Sequence, residues 1–277
     1  MQGIRSSEVF REKLHWMRSQ PFFQPEPVVF NSYELCKLAE QFVKAKGRTD
    51  YSVAELFYID DDEGSGYGDV FVSHYQAELI METTNAMESF EKSHIGVTHI
   101  LDVFSIRQGV PDDFKSDYVE KLITMIGLTL MVAKPWNKPD TIKRVWCVFE
   151  ILCTVQGDGD LSVAFANKEE LSLMRKNKSE HKRLYKSICE ILEEINVEEA
   201  EARTKSDCED IMKKIMSGLG ILCGSVCHCW CCHFHVIELN QAWRIQSNFD
   251  FFGLEASVVT VQSDGDGALL HVVFDCL

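Results

Sequence analysis

Two spacings of apolar residues alternate along the middle of this chain. Short β-branched and aromatic runs stand at 68–74 (GDVFVSH), 98–106 (THILDVFSI), 128–136 (LTLMVAKPW) and 161–166 (LSVAFA), as buried strands require. Helical segments lie between them at 76–93, 112–127 and 141–155, and further helical stretches follow at about 169–195 and 207–217, with a short edge strand near Ile195–Ala200. Strands alternating with helices predict an α/β fold, with a parallel sheet covered on both faces. Residues 1–66 read as a helical lead-in. Asn31 is a good N-cap with Glu34 at the capping-box spacing, Leu35, Leu38, Ala39 and Phe42 recur on one helical face, and Gly47 can end the helix. The acidic DDDEGSGYG (60–68) then reads as a solvated linker or turn. The expected organisation is a helical N-terminal segment with its linker (1–66), an α/β domain (67–220), and a Cys/His-rich stretch with an irregular tail (221–277). Within that tail, residues 255–277 suggest two strands around an Asp/Gly turn.

The chain has 277 residues, 45% apolar and 26% charged, which is globular composition and not disorder. Its formal net charge of −15 argues against nucleic acid as a partner, because phosphate backbones need a cationic footprint. It leaves room for a local basic pocket around one small phosphate ligand. Neither G-x-G-x-x-G nor G-x-x-x-x-G-K-[ST] occurs, which disfavours the usual dinucleotide and nucleoside-triphosphate folds. The opening MQGIRSSEVFREKLHW carries charges where a secretory signal needs an apolar core, so a cytoplasmic chain with free thiols is expected.

One residue breaks the apolar pattern. From Val145 to Val155 the chain reads VWCVFEILCTV, and Glu150 is its only charge. On a helix Trp146 and Glu150 share a face one turn apart, while Val145, Val148 and Leu152 occupy a face suited to packing on the sheet. Glu150 is either structural, bonded to a backbone amide, Lys143 or Arg144, or a cleft carboxylate able to stabilise a cation or grip hydroxyls. Ligands of open α/β sheets bind outside the carboxyl ends of the strands, here expected at Ser73–His74, Phe104–Ser105 and Pro135–Trp136. Ser73 and His74 offer hydrogen bonds to ribose or phosphate, and Trp136 and Trp146 could flank a flat base. His74 reads equally well as a cap on its strand, and Trp146 as a core residue.

The order YGDVFVSH, ILDVFS, GLTLMVAKPW and RVWCVFEIL resembles a Toll/interleukin-1 receptor (TIR) domain, most closely those of plant and protist TIR-like proteins. Asp69–Ser73 match their opening D-V-F-x-S strand, and Trp146, Cys147, Glu150 and Ile151 match the W-C-x-x-E-L of their third helix. The resemblance spans about residues 67–215. It implies a flavodoxin-like doubly wound sheet of about five parallel strands, and hydrolysis of NAD at its nicotinamide–ribose bond. NAD is then a substrate, with no cofactor, and Glu150 is the catalytic carboxylate. The resemblance also implies self-association, with the 105–113 loop (Arg107, Gly109, Pro111) docking on a neighbouring copy. The alternative it allows is a catalytically inactive interaction module in signal transduction. After the first strand this chain has HYQAE, with no arginine where plant TIR domains usually carry an FRGED-like loop.

Cys223, Cys227, Cys229, Cys231 and Cys232 crowd into CGSVCHCWCCHFH with His228, His233 and His235. Cys227 and Cys231 with His228 or His235 could form a thiolate–imidazole zinc site, although the spacing is not a usual framework. The stretch 215–237 lacks Asp, Glu, Lys and Arg, but its glycines, histidines and serines make a poor membrane span. An irregular insertion is the preferred reading, so no metal site is assigned and membrane contact is not expected.

Overall fold

The computed structural model describes residues 1–20, 31–60, 63–110, 113, 115–135, 139–165, 200–201, 205–222, 262–264 and 267–269. Its strands are β1 (Gln2–Ile4), β2 (Ser65–Tyr67), β3 (Val70–Ser73), β4 (His99–Ile100), β5 (Leu128–Ala133) and β6 (Asp160–Phe165). The helices are α1 (Ser7–Arg18), α2 (Ser32–Ala45), α3 (Val53–Ile59), α4 (Ile80–Glu91), α5 (Asp102–Ser105), α6 (Ser116–Ile126), α7 (Val145–Gln156) and α8 (Lys205–Leu222), with a 3₁₀ turn at Asp140–Lys143. One mixed sheet takes the order β2-β1-β4-β3-β5-β6. β4, β3, β5 and β6 are mutually parallel, and β1 and β2 extend the β4 edge antiparallel. The chain steps from β3 outward to β4 and returns to β5 on the other side. That reversal makes β3/β5 the topological switch point of a doubly wound α/β fold.

β3 lies at the middle of this sheet, and its alternation divides the interior into two cores. Val70 and Val72 join Phe10, Leu35, Ile80, Met87 and Phe90 on one face. Phe71 joins Val119, Ile123, Val148, Phe149 and Ile211 on the other. Ser73 continues the Phe71 series and so points toward α7. The expected capping box at Asn31 and Glu34 is present, with reciprocal bonds of 2.9 and 3.1 Å, and a second one, Ser52 with Glu55, starts α3.

Two expectations need correction. Residues 1–66 are not only helical. β1 pairs with β2 and, through Ile4 opposite His99, with β4, so the presumed linker at 60–68 contributes a strand. The apolar helices of this segment fill the same core as Val70 and Val72. Second, the strand expected at 98–106 stops at Ile100. The Asp102 carboxylate accepts from Val103 N at 2.6 Å, and Ser105 N donates to the Leu101 carbonyl at 2.8 Å, so the side chain draws the backbone into a helical turn. The described residues hold four parallel strands, and the edge strand expected near Ile195–Ala200 lies, all but Ala200, outside them. Glu201 bridges the start of α7 through Val145 N and the Lys143 carbonyl. The helix expected at 169–195 and the Cys/His-rich stretch lie outside the described residues. In the tail, β7 (Gln262–Asp264) pairs antiparallel with β8 (Gly267–Leu269), as expected for the hairpin.

The N-terminal segment is tied to the sheet by packing and by polar bonds. Phe10 and Phe104, both fully buried, lie 4.9 Å apart between ring centroids, and Glu91 accepts from Ser7 N, Ser7 Oγ and His99 Nε2 at 2.6, 2.7 and 2.8 Å. Phe10→Ala is expected to lower the stability of the whole chain by about 3–5 kcal/mol in chemical denaturation, within one cooperative transition. A separate early loss of the N-terminal helices, with the sheet unaffected, would contradict the shared core.

Candidate functional site

α7 is apolar nearly all round because it is enclosed. Val145, Val148, Phe149, Leu152 and Cys153 face α6 and α8 in the second core. Its remaining polar groups form a stripe toward the sheet at Cys147, Glu150 and Thr154, three and four residues apart. Cys147 Sγ donates to the His74 carbonyl at 3.3 Å, and Thr154 Oγ1 shares a 2.7 Å hydrogen bond with Thr129 Oγ1. Between them Glu150 Oε2 accepts from Ser73 Oγ at 2.6 Å. A buried hydroxyl needs an acceptor and a buried carboxyl needs donors. The end of β3 and the middle of α7 therefore satisfy each other.

Glu150 is the one member of this stripe that keeps an intermediate exposure together with an ionisable oxygen pair. Burial pushes its pKa up to about 8; the Ser73 hydrogen bond opposes that rise, and the nearby Asp102 charge adds to it. A carboxyl so raised holds its proton more tightly near neutral pH, and a cation placed beside it favours its ionisation. The Cys147 thiol is also pushed up, by burial first and by Glu150 second. It serves as a hydrogen-bond donor and not as a nucleophile.

The other residues expected at the site are distributed differently. His74 is buried, and its Nε2 meets Ser32 Oγ of α2 at 2.9 Å and lies 3.8 Å from Asp102 Oδ1. Phe104 is buried against Phe10, and Ser105 is buried with its Oγ accepting from Leu101 N at 3.2 Å. Because β4 ends early, Asp102 takes the place at its carboxyl end that Phe104 and Ser105 were expected to hold. Trp146 is partly buried with its ring 6.2 Å from that of Phe149, packed on the second core. Trp136 and Pro111 lie outside the described residues. In the 105–113 loop, Arg107 is gripped by Asp113 at 2.6 and 2.5 Å. The structure thus brings Ser73 and Glu150 into contact and turns His74, Phe104 and Ser105 to other partners.

Sequence reasoning missed Asp102, Glu78 and Arg144. Asp102 approaches Glu150 electrostatically and is held by Gln76 Nε2 at 2.5 Å. Glu78 sits buried in the loop after β3 with neither carboxyl oxygen bonded. The Arg144 guanidinium lies 5.5 Å from the centre of the Tyr75 ring, over that same loop. A signal for Asp102 existed, since it is the only charge in THILDVFSI. Comparison of the chain with known protein families, characterised proteins and solved structures finds no match, so what this site can do is argued from its geometry.

A carboxyl whose pKa rises on folding binds its proton more tightly in the native state. Stability therefore falls as pH rises from 4.5, the ordinary value, to about 8. Replacing the group with an amide removes that slope. Glu150→Gln is expected to gain stability over wild type between pH 5 and pH 8 by roughly 2 kcal/mol, less than full burial would give because the side chain still meets solvent. Denaturant midpoints at the two pH values check this. A difference that is the same at both would mean that Glu150 titrates normally.

Proposed function

We propose that this chain is a TIR-like protein that hydrolyses NAD to nicotinamide and ADP-ribose when its copies associate, with Glu150 as the catalytic residue. The observation that carries the reading is the placement of Glu150: a carboxyl at the carboxyl end of the central parallel strand, on a residue that is only partly buried, oriented by Ser73 at 2.6 Å. In this reaction the C1′–N1 bond breaks, its electron pair neutralises the pyridinium ring, and neutral nicotinamide departs without needing a proton. Positive charge develops on the ribose, and water then adds to C1′ and releases a proton. A carboxylate beside the ribose stabilises that charge in the transition state more than in the ground state. The cationic nicotinamide ring itself favours ionisation of Glu150 on binding.

Two further features support the reading. Arg144 brings a guanidinium over the HYQAE loop, supplying for a pyrophosphate the charge that the loop's own sequence lacks. The aromatic ring of Tyr75 lies beside it. Action in the cytoplasm belongs to the same reading, and among the described residues no helix is long and apolar enough to cross a membrane. The inactive interaction module would rest on the same association of copies, and differs in leaving the raised carboxyl of Glu150 without a chemical role.

Purified full-length chain at high concentration, with a crowding agent, is expected to release nicotinamide from NAD, and Glu150→Ala to lose at least about a hundredfold of that rate. Since the ionised carboxylate is the active form, kcat/KM is expected to rise with pH and level off above about 8. No release from either protein, with self-association confirmed in the same sample, would favour the silent scaffold. A rate that falls as pH rises toward 8 would make Glu150 an acid and overturn the mechanism.

A further inference from the structure

Of the six buried side-chain nitrogen and oxygen atoms without a partner among the described residues, three belong to Glu78 and Glu82. Both oxygens of Glu78 are among them, although the residue is only 7% exposed. Burying a polar group without a partner costs a few kcal/mol, so an orphaned carboxyl in a native fold calls for a partner from outside the chain, a water or a ligand. Its position narrows the choice. Glu78 lies in the loop that leaves β3, and it faces Glu82 of α4, Lys134 at the end of β5 and Asp140 of the 3₁₀ turn. These elements border the β3/β5 switch point, where open α/β sheets bind ligands. Cys147 of α7 feels the charges of both Glu150 and Glu78, so both carboxyls act on the same thiol near the end of β3.

The neighbours of Glu78 set its chemistry. Lys134 is ion-paired with Glu82 and is not free to pair with it. Burial first, and the Glu82 charge second, push the Glu78 pKa up to about 8, with Lys134 opposing. Near neutral pH the group is then a carboxylic acid, with one O–H donor and one carbonyl acceptor side by side. Metal binding is not the use for it, because among the described residues no group of three His, Cys, Asp or Glu is arranged to hold an ion.

We infer that Glu78 is the specificity-determining residue of this site, its carboxyl forming two parallel hydrogen bonds with a primary carboxamide, the group carried by the nicotinamide ring. The inference rests on the NAD reading above. A primary amide presents a carbonyl acceptor and an N–H donor in the plane and spacing that a carboxylic acid complements. A ligand with a carboxylate in that place meets the charges of Glu82 and Asp140 and has no N–H to offer the carbonyl oxygen of Glu78. Glu78 thus selects nicotinamide over nicotinic acid and holds the leaving group, while Glu150 faces the ribose.

The test uses the full chain with two readouts. Initial rates are compared for NAD and for its analogue bearing nicotinic acid, and binding of nicotinamide alone is followed by ligand-observed NMR. Wild type is expected to favour NAD at least about a hundredfold in kcat/KM. Glu78→Leu is expected to raise KM for NAD about tenfold with a much smaller change in kcat, and to shrink the preference to a few-fold. Glu78→Gln restores both hydrogen bonds and recovers most of that KM. It is also expected to remove the weakening of nicotinamide binding expected of wild type as pH rises past about 8. Equal losses for the two substrates in Glu78→Leu, with discrimination intact, would overturn the inference. If wild type releases no nicotinamide from NAD, the hydrolase reading fails, but the binding arm still decides this one. Binding lost in Glu78→Leu and kept in Glu78→Gln upholds a carboxamide subsite; binding equal in all three, or absent from wild type, removes it. Cooperative thermal transitions at or above the wild-type midpoint confirm that both variants fold.

Discussion

A strand buried on both faces tolerates no polar side chain without a partner, and β3 ends in one. Val70, Phe71 and Val72 satisfy the two cores by alternation. Ser73 then presents a fully buried hydroxyl to α7, and Glu150 accepts from it at 2.6 Å. That bond sets the rotation of α7 about its axis. With Glu150 turned to the sheet, Cys147 and Thr154 turn with it and find the His74 carbonyl and Thr129. The valines and phenylalanine between them are left facing α6 and α8. A hydrophobic helix would otherwise have little to distinguish one face from another.

The N-terminal segment decides how much of the sheet end remains for chemistry. α2 reaches His74 through Ser32, and α1 brings Phe10 to Phe104. Those contacts turn the β3/β4 side into interior. Glu78, Lys134 and Asp140 gather instead around the β3/β5 side. A segment read as a lead-in is thus a wall of the domain, and the site is placed by what that wall covers. The two acids with raised pKa values stand on either side of the same strand end, which concentrates the polar strain of the fold in one place.

The alternation of strands and helices was legible because it is a matter of period, and so were the capping box at Asn31 and the hairpin around 262–269. Glu150 stood out for the same reason, as a charge where the pattern allowed none. The edge strands were not legible. Gln2–Ile4 and Ser65–Tyr67 are too short and too rich in glycine to carry an alternating signal, and their pairing is a long-range event. Nor could spacing tell that Asp102 would cap a turn and shorten β4, which moved Phe104 and Ser105 from the strand end into the core. Glu78 read as one more acid near the start of the helix expected over 76–93, which begins only at Ile80 and leaves Glu78 in a loop. Its isolation comes from the burial of that loop and from Lys134 choosing Glu82, and neither appears in a linear pattern.

The sheet begins at β2, a strand of three residues with Tyr67 at its end packed 5.8 Å from Tyr58. So short a border offers an incoming chain only a couple of free backbone groups, too few to fix a register. Short edge strands are one of the devices by which a sheet discourages pairing between copies. This border is thus poorly suited to the templated backbone pairing that runs on into fibres.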